Sequence, residues 1–374
     1  MKRNLVIILA AVLVLVLIIG MVLLTGKREN PSVDTSTGSS TGSTESSEVT
    51  NSSEESSEES TEDELSAQYR HPLTGERLSQ PWAGQLVAVM TNNIKYAMPQ
   101  HGLSQADIVY EIQEEGDITR NMAIFSDLSK VGNIGSIRST RTYFVSVAAS
   151  FDAYLVHCGT SNHAYGGKYD SDGHKISNWK DLDQFYNGKY FERNQDRIDA
   201  DYAWEHTLFT SGEMLQQALN GKEESKTYDN GFGLVFDENV ELNGASAQEV
   251  TIKFKGGKTS TFIYDPATKL YKRTQYGTDS IDGNTGETTT FKNVIAIYTR
   301  QWGCNCGKGH QFYDTIGSGE GYAAINGKIV PILWSRESVD SPYVYTLEDG
   351  TPLTLDVGST YIAVVGIKHP ISYQ

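Results

Sequence analysis

Cysteine is scarce in this chain, and its absence near the N-terminus limits how the chain can be attached to a membrane. The only cysteines are Cys158, Cys304 and Cys306, and all three lie far from the apolar run at the N-terminus. Attachment through a lipid-bearing cysteine next to that run is therefore excluded. On the outside of a cell, Cys304 and Cys306 are a candidate disulfide across a tight loop, with zinc binding together with His310 as the alternative.

The common signatures of catalysis are also missing. The sequence has no nucleophile elbow and no HExxH motif, and the glycine-rich run at 317–321 lacks the lysine and the helix of a phosphate loop. The run at 170–173 has part of the pattern of a calcium loop but not its bidentate glutamate. We therefore expect no metal and no cofactor.

Positive charge is missing from residues 31–66, which hold ten acidic residues and no Lys or Arg. Almost no apolar side chain is available there to offset the entropy of ordering, so the segment is predicted to be a disordered linker. The formal charge of −16 divides into +3 for residues 1–30, −10 for the linker and −9 for residues 67–374. Nucleic acid is a poor partner for a chain with this balance of charge.

The one long apolar run is Leu5–Leu24, which carries no charge. Its twenty residues match the roughly 20 that a helix needs to cross a bilayer. Lys2 and Arg3 favour a cytoplasmic N-terminus. A cleaved signal peptide is the alternative, but the run is longer than the usual apolar region of such peptides and no small-x-small cleavage site follows it. We expect a single-pass anchor at the cell membrane, with everything downstream outside the cytoplasm.

From Ala67 onward the composition is that of a globular protein. Buried strands are predicted around 85–91, 107–113, 120–126 and 153–158, and a helix from a cap at Ser139 to about Ser150. A second helix is predicted from Thr210 or Ser211 to Gly221. After Tyr228 the pattern has period two, and Asn326-Gly327 indicates a two-residue hairpin turn.

These elements predict an α+β fold in four parts. The main domain would have a mixed sheet with a few helices, and a smaller antiparallel β-rich domain would follow it. The predicted parts are an N-terminal anchor at 1–30, a linker at 31–66, an α+β domain at 67–225 and a β-rich domain at 226–374.

Several stretches resemble a known family of bacterial surface proteins, the YerB-like family. They are PLTGE at 72–76, VAVMTNN at 87–93, GLSQADIVYEI at 102–112, IGSIRSTRTYF at 134–144 and EHTLFTS at 205–211. The resemblance covers roughly residues 69–374. It implies a membrane lipoprotein with an N-terminal and a smaller C-terminal conserved domain, but no established catalytic residues. The missing lipid-attachment cysteine departs from that pattern and moves membrane attachment onto the apolar helix.

Three arginines form the first candidate ligand site. Arg138 and Arg141 flank the predicted helix start, where a positive charge is unfavourable unless an anion lies between the arginines and the helix end. Arg120, at the start of a neighbouring strand, is a third donor. The anion is either an internal carboxylate in a buried ion-pair network, from Glu111, Glu114 or Asp107, or an external carboxylate, phosphate or acidic glycan.

Other residues of the same region extend this hypothesis. Asn92, Asn93 and Ser161 could hydrogen-bond a sugar or peptide, or could simply form turns. His157 ends an apolar strand, where a core hydrogen bond and a ligand contact are equally compatible with the pattern.

An enzymatic alternative would use a pair of carboxylates from Glu111, Glu114 and Asp152 for glycoside hydrolysis. No spacing singles out such a pair. We therefore expect a binding or scaffold protein of the cell envelope, with a wall polymer or an envelope protein as its partner, and a wall-active hydrolase as the second hypothesis.

Overall fold

The computed structural model describes residues 69–161, 180–226, 231–304 and 308–374. The predicted anchor Leu5–Leu24 and linker 31–66 lie outside these ranges. Within them, no helix is both long and apolar enough to cross a membrane. All described residues belong to one compact unit.

Short and long strands make up most of the regular structure in these ranges. The strands are β1 Tyr69–Arg70, β2 Arg77–Leu78, β3 Val87–Asn93, β4 Ile108–Gln113, β5 Thr119–Phe125, β6 Asn133–Gly135, β7 Tyr154–His157, β8 Lys180–Asp183, β9 Glu192–Arg193, β10 Leu208–Ser211, β11 Val235–Asp237, β12 Ala245–Ser246, β13 Glu249–Lys253, β14 Thr259–Asp265, β15 Leu270–Gln275, β16 Thr278–Asp279, β17 Thr290–Phe291, β18 Asn293–Thr299, β19 Gln301–Gly303, β20 Gln311–Tyr313, β21 Gly317–Ile325, β22 Lys328–Arg336, β23 Val344–Thr346, β24 Thr354–Asp356, β25 Thr360–Gly366 and β26 Ser372–Tyr373. The helices are α1 Thr142–Ser150, α2 Gln184–Asn187, α3 Gln195–Asp199 and α4 Gly212–Leu219.

A large mixed sheet forms the centre of the molecule, in the order β12-β22-β21-β18-β25-β4-β5-β3-β7-β8. The pairs β18–β25, β25–β4, β3–β7 and β7–β8 are parallel, and β5 is antiparallel to both β3 and β4. Six strands therefore end at the same edge of the sheet. We call it the carboxyl edge, and its strand ends are Thr299, Gly366, Gln113, Asn93, His157 and Asp183.

Strands from both halves of the chain share this sheet. β25, close to the C-terminus, lies between β4 and β18 and is parallel to both. The C-terminal half was expected to be mostly antiparallel, and most of its strand pairs are. The parallel position of β25 is an exception, because the period of a strand does not encode its partner or its direction. The predicted combination of sheets with a few helices is confirmed for the described residues, and the domain division at 225–226 stays a prediction.

Two layers cover the faces of the central sheet. On one face, Tyr143, Phe144 and Val147 of α1 pack with Met90 and Tyr110. On the other face lies a six-stranded antiparallel sheet, β16-β15-β14-β13-β26 with β17 beside β15. Its apolar side chains, such as Phe262 and Tyr271, pack with Val89, Val109 and Tyr361 of the central sheet.

Local turn chemistry accounts for several element boundaries. Asn326 and Gly327 both have positive φ, 49° and 75°, as the tight turn between β21 and β22 requires. Ser211 caps α4 as predicted, because its side chain accepts a hydrogen bond from the Met214 N–H at 3.2 Å.

The start of α1 differs from the prediction. The helix begins at Thr142 with Arg141 as the N-cap residue and without a side-chain cap. The chain before it is held extended, because Ile137 pairs with Thr91 and Thr140 pairs with Thr160. Ser139 is therefore not a helix cap.

Candidate functional site

The carboxyl edge collects most of the residues that the sequence indicated. Asn92 and Asn93 end β3, and His157 ends β7. Arg120 is the second residue of β5, which begins at this edge. Arg138 lies between β3 and β7, since its N–H donates to the Met90 carbonyl at 3.0 Å and its carbonyl accepts from the Cys158 N–H at 3.1 Å.

Asp152 is not part of this edge. It lies two residues before Tyr154, the first residue of β7, and therefore at the opposite end of that strand. Its carboxylate pairs with Lys180 Nζ at 3.0 Å and accepts from the Lys226 N–H at 2.8 Å. The structure does not bring Asp152 together with Glu111 or Glu114.

Glu111 lies at the centre of a buried polar cluster between the two sheets. Its carboxylate accepts hydrogen bonds from Asn93 Nδ2 at 2.9 Å, Thr119 Oγ1 at 2.6 Å, Ser260 Oγ at 2.8 Å, Tyr361 OH at 2.6 Å and Arg273 Nη2 at 2.5 Å. Lys258 Nζ lies 3.7 Å away. These seven residues are the Glu111 cluster, and each of them is buried.

The charges of this cluster are strongly coupled. Burial alone would raise the pKa of Glu111, but Lys258, Arg273 and the hydroxyl donors outweigh it and lower that pKa to about 2. Burial lowers the pKa of Lys258 to about 8, although Glu111 opposes the shift. A fully enclosed carboxylate with so low a pKa cannot act as a general acid near neutral pH.

Glu114 forms a second, separate network at the end of β4. Arg120 Nε lies 2.5 Å from Glu114 Oε1, and Arg141 Nη2 lies 3.4 Å from Glu114 Oε2. Arg141 also pairs with Glu115 through both Nε and Nη2. We call these four residues the Glu114 network, and its two carboxylates match its two guanidinium groups in formal charge.

Burial and pairing oppose each other in this network. Burial raises the pKa of Glu114 even though Arg120 and Arg141 oppose the shift. Burial also lowers the pKa of Arg120 to about 10. Burial favours the neutral form of Arg141 too, but Glu115 and Glu114 outweigh it and raise the pKa of Arg141. Arg120 and Arg141 thus have an internal anion.

Arg138 differs from the other two arginines. Its side chain is half-buried and makes no hydrogen bond, ion pair or ring contact in the described ranges of the chain, and its Nε is enclosed without an acceptor. An enclosed guanidinium N–H without an acceptor is costly, so this position favours an anion from outside the chain.

Asn92 and His206 lie in the same region as Arg138. Asn92 Nδ2 lies 2.9 Å from His206 Nδ1. Burial, together with Arg138 and Arg197, lowers the pKa of His206, so the imidazole is neutral near pH 7. Neither Asn92 nor His206 therefore supplies a negative charge to Arg138.

His157 is held from both ring nitrogens. Its Nε2 lies 2.7 Å from Asp181 Oδ1, and its Nδ1 lies 2.9 Å from the Gly159 carbonyl. Ser161 is buried. Cys158 is a free thiol whose pKa is raised by burial.

The metal and disulfide hypotheses concern the same cysteine-containing loop. Cys304 is disulfide-bonded, and its predicted partner Cys306 lies outside the described residues. Among the side chains that the structure describes, no group of three His, Cys, Asp or Glu residues is placed to hold a metal.

A groove opens at the carboxyl edge beyond the ends of β18 and β25. Its volume is about 490 Å³, and it is lined by Lys255, Arg300, Gln301, Trp302, Gly303, Gln311, Gly366, Ile367, Lys368 and His369. We call it the Trp302 groove. None of these lining residues is acidic.

Sequence reasoning missed both the groove and the second half of the Glu111 cluster. A signal for Arg273 was present, because it lies two residues from Tyr271 and from Gln275 and therefore shares their buried face of β15. The groove had no comparable signal, since its lining comes from three distant parts of the chain, at 255, 300–311 and 366–369.

Comparison with known proteins agrees with this architecture. The family described as "Protein of unknown function (DUF3048) N-terminal domain" matches residues 73–226, and the corresponding C-terminal domain family matches residues 250–362. YerB of Bacillus subtilis (strain 168), which carries the name of a lipoprotein, is 26% identical over 307 residues, covering 81% of this chain and 88% of YerB.

A solved structure matches as well. The crystal structure of YerB from Bacillus subtilis superposes with a TM-score of 0.66 at 26% identity, over 82% of this chain and 100% of that one. The sequence match, the two domain matches and the structural match point to the same group of proteins. The chain belongs to the YerB-like family.

Proposed function

We propose that this chain is a membrane-attached binding protein of the bacterial cell envelope that takes an anionic wall polymer at the carboxyl edge of its central sheet. The single observation that carries the proposal is Arg138, a half-buried cation with an enclosed Nε and no acceptor within the described ranges. Wall polymers that carry carboxylate or phosphate groups would supply the missing acceptor.

The surroundings of Arg138 support an external anion over an internal one. Glu114 and Glu115 already pair with Arg120 and Arg141. With Arg138 included, the region carries three arginines against two glutamates. The start of α1 adds the partial positive charge of a helix N-terminus, which also favours an anion.

Membrane attachment is supported by two independent observations. A relative carries the name of a lipoprotein. In this sequence no cysteine is available near the N-terminus, but Leu5–Leu24 is long enough to span a bilayer. Protease added to intact cells should cut the protein within the 31–66 linker and release a compact fragment. A mature N-terminus beyond residue 25 would contradict a retained anchor.

A wall-active hydrolase is the competing proposal, and one experiment separates the two. The soluble fragment 67–374 is incubated with purified wall fragments, and both its retention and any released sugars or peptides are measured. Retention without released products supports a binding protein. Release of sugars or peptides by the wild type would support the hydrolase instead, although the low pKa of Glu111 argues against its acting as a general acid.

A further inference from the structure

We propose that the Trp302 groove is a separate binding site for an acidic sugar unit, in which Trp302 contacts the sugar ring and Lys255 and Lys368 contact its negative charge. The choice of ligand class rests on the proposed function, because a wall polymer is the anion expected there. The site itself rests on other residues than Arg138.

The position of the groove is typical of ligand sites in sheets with parallel strands. It lies past the carboxyl ends of β18 and β25, which are parallel neighbours. Its volume of about 490 Å³ falls within the range of small-molecule sites, about 300–1,000 Å³.

The charge of the groove is positive and mostly uncompensated. Lys255 and Lys368 are exposed and have no ion-pair partner in the part of the chain that the structure describes. Arg300 is already paired, because its Nε and Nη2 donate to the two carboxylate oxygens of Asp314 at 2.7 and 2.9 Å. The two lysines are therefore the cations available to a ligand, although residues 67–374 together carry a formal charge of −9.

The aromatic wall is held in place by its neighbours. The Arg300 guanidinium lies 4.2 Å from the centre of the Trp302 ring, and the Phe312 ring lies 5.7 Å from it. Trp302 remains half-exposed. A rigid, partly exposed indole gives a sugar ring an apolar surface at little cost in side-chain entropy.

Two amides of the groove wall are positioned by hydrogen bonds within the chain. Gln301 Nε2 lies 3.2 Å from Gln311 Oε1, and Gln311 Nε2 donates to the Gly309 carbonyl at 2.8 Å. The Gln301 side chain packs against Gly366, where a larger residue would not fit, because a Cβ at position 366 would lie 2.5 Å from Gln301 Oε1. The disulfide at Cys304 lies between β19 and β20, the strands that carry Trp302 and Gln311.

The test uses the full-length protein in detergent micelles and isothermal titration calorimetry. The probes are tetragalacturonic acid, neutral chitotetraose, and a polyglutamate that carries the same charge as tetragalacturonic acid. We expect saturable binding of tetragalacturonic acid, weaker binding of the other two, and a loss of about tenfold or more in the Lys255→Gln/Lys368→Gln double variant. The matched control is Lys269→Gln/Lys328→Gln, which removes the same charge outside the groove.

Two tryptophan variants test the aromatic contact. Trp302→Ala should weaken binding of tetragalacturonic acid, and Trp302→Phe should retain most of it, which separates ring contact from loss of folding. No saturable binding, equal binding of polyglutamate, or equal binding of chitotetraose would each overturn the proposal. In an Arg138→Ala background, Lys255→Gln/Lys368→Gln should cause the same loss of tetragalacturonic acid binding, so the groove and the proposed function can fail independently.

Discussion

Glu111 on β4 and Arg273 on β15 form a buried ion pair that joins the central sheet to the second sheet, with 2.5 Å between Oε2 and Nη2. Neither side chain has access to solvent. The two residues are 162 positions apart in the chain, so the pair also joins its N-terminal and C-terminal halves. Lys258 adds a second positive charge on the same carboxylate.

Removal of the charge at Glu111 should destabilise the protein strongly. In Glu111→Gln, Arg273 and Lys258 remain buried without their anion, and the free energy of unfolding should fall by about 3–5 kcal/mol. Chemical denaturation of fragment 67–374 measures this. Glu320→Gln, an exposed glutamate on β21, is the matched control and should change stability by less than about 0.5 kcal/mol.

The same pair predicts a pH dependence. The pKa of Glu111 is about 2 in the folded protein and near its ordinary value of 4.5 when unfolded. Its contribution to stability is therefore complete above the unfolded value and disappears as the pH falls toward about 2. Denaturation curves of the wild type and Glu111→Gln should differ most at neutral pH and converge in acid. A constant gap across that range would contradict the ionised state of Glu111.

The arginines of the carboxyl edge should respond differently to substitution. Arg120→Ala leaves Glu114 buried with one partner fewer, and thermal or chemical denaturation should show a loss of about 3–5 kcal/mol. Arg138→Ala removes a cation that lies near two other arginines, so stability should hold or rise slightly. A large loss of stability in Arg138→Ala would show that Arg138 has an internal partner.

Sequence patterns predicted the parts of this fold that depend on local chemistry. The Asn326-Gly327 turn and the Ser211 cap follow from residues within a few positions of each other, and both were predicted correctly. The parallel position of β25 between β4 and β18 could not be predicted, because strand partners depend on packing across the whole chain.

The candidate site shows the same division. The pattern around Arg138 and Arg141 indicated an anion, and the sequence left open whether that anion was internal. The structure gives Arg120 and Arg141 internal carboxylates and gives Arg138 none in the described ranges. The partners of Glu111 on β14 and β15 lie about 150 residues away, which no local pattern could connect.

The cysteines give a prediction that needs only thiol chemistry. Cys158 is free and Cys304 is disulfide-bonded, and the chain has three cysteines. Labelling of the denatured, non-reduced protein should therefore modify one thiol, and labelling after reduction should modify all three. Three reactive thiols without reduction, or stoichiometric zinc, would favour the metal hypothesis for Cys304 and Cys306.

The most direct test of the proposed function measures the affinity of fragment 67–374 for purified anionic wall fragments. The account predicts that Arg138→Ala weakens binding by about tenfold to a hundredfold, as expected for loss of a hydrogen bond to a charged group, without loss of stability. Arg77→Ala, which removes an exposed arginine paired with Glu238, should bind as the wild type does, and wild-type binding should weaken as salt is raised. Equal affinity of the wild type and Arg138→Ala would contradict the assignment of Arg138 as the anion contact.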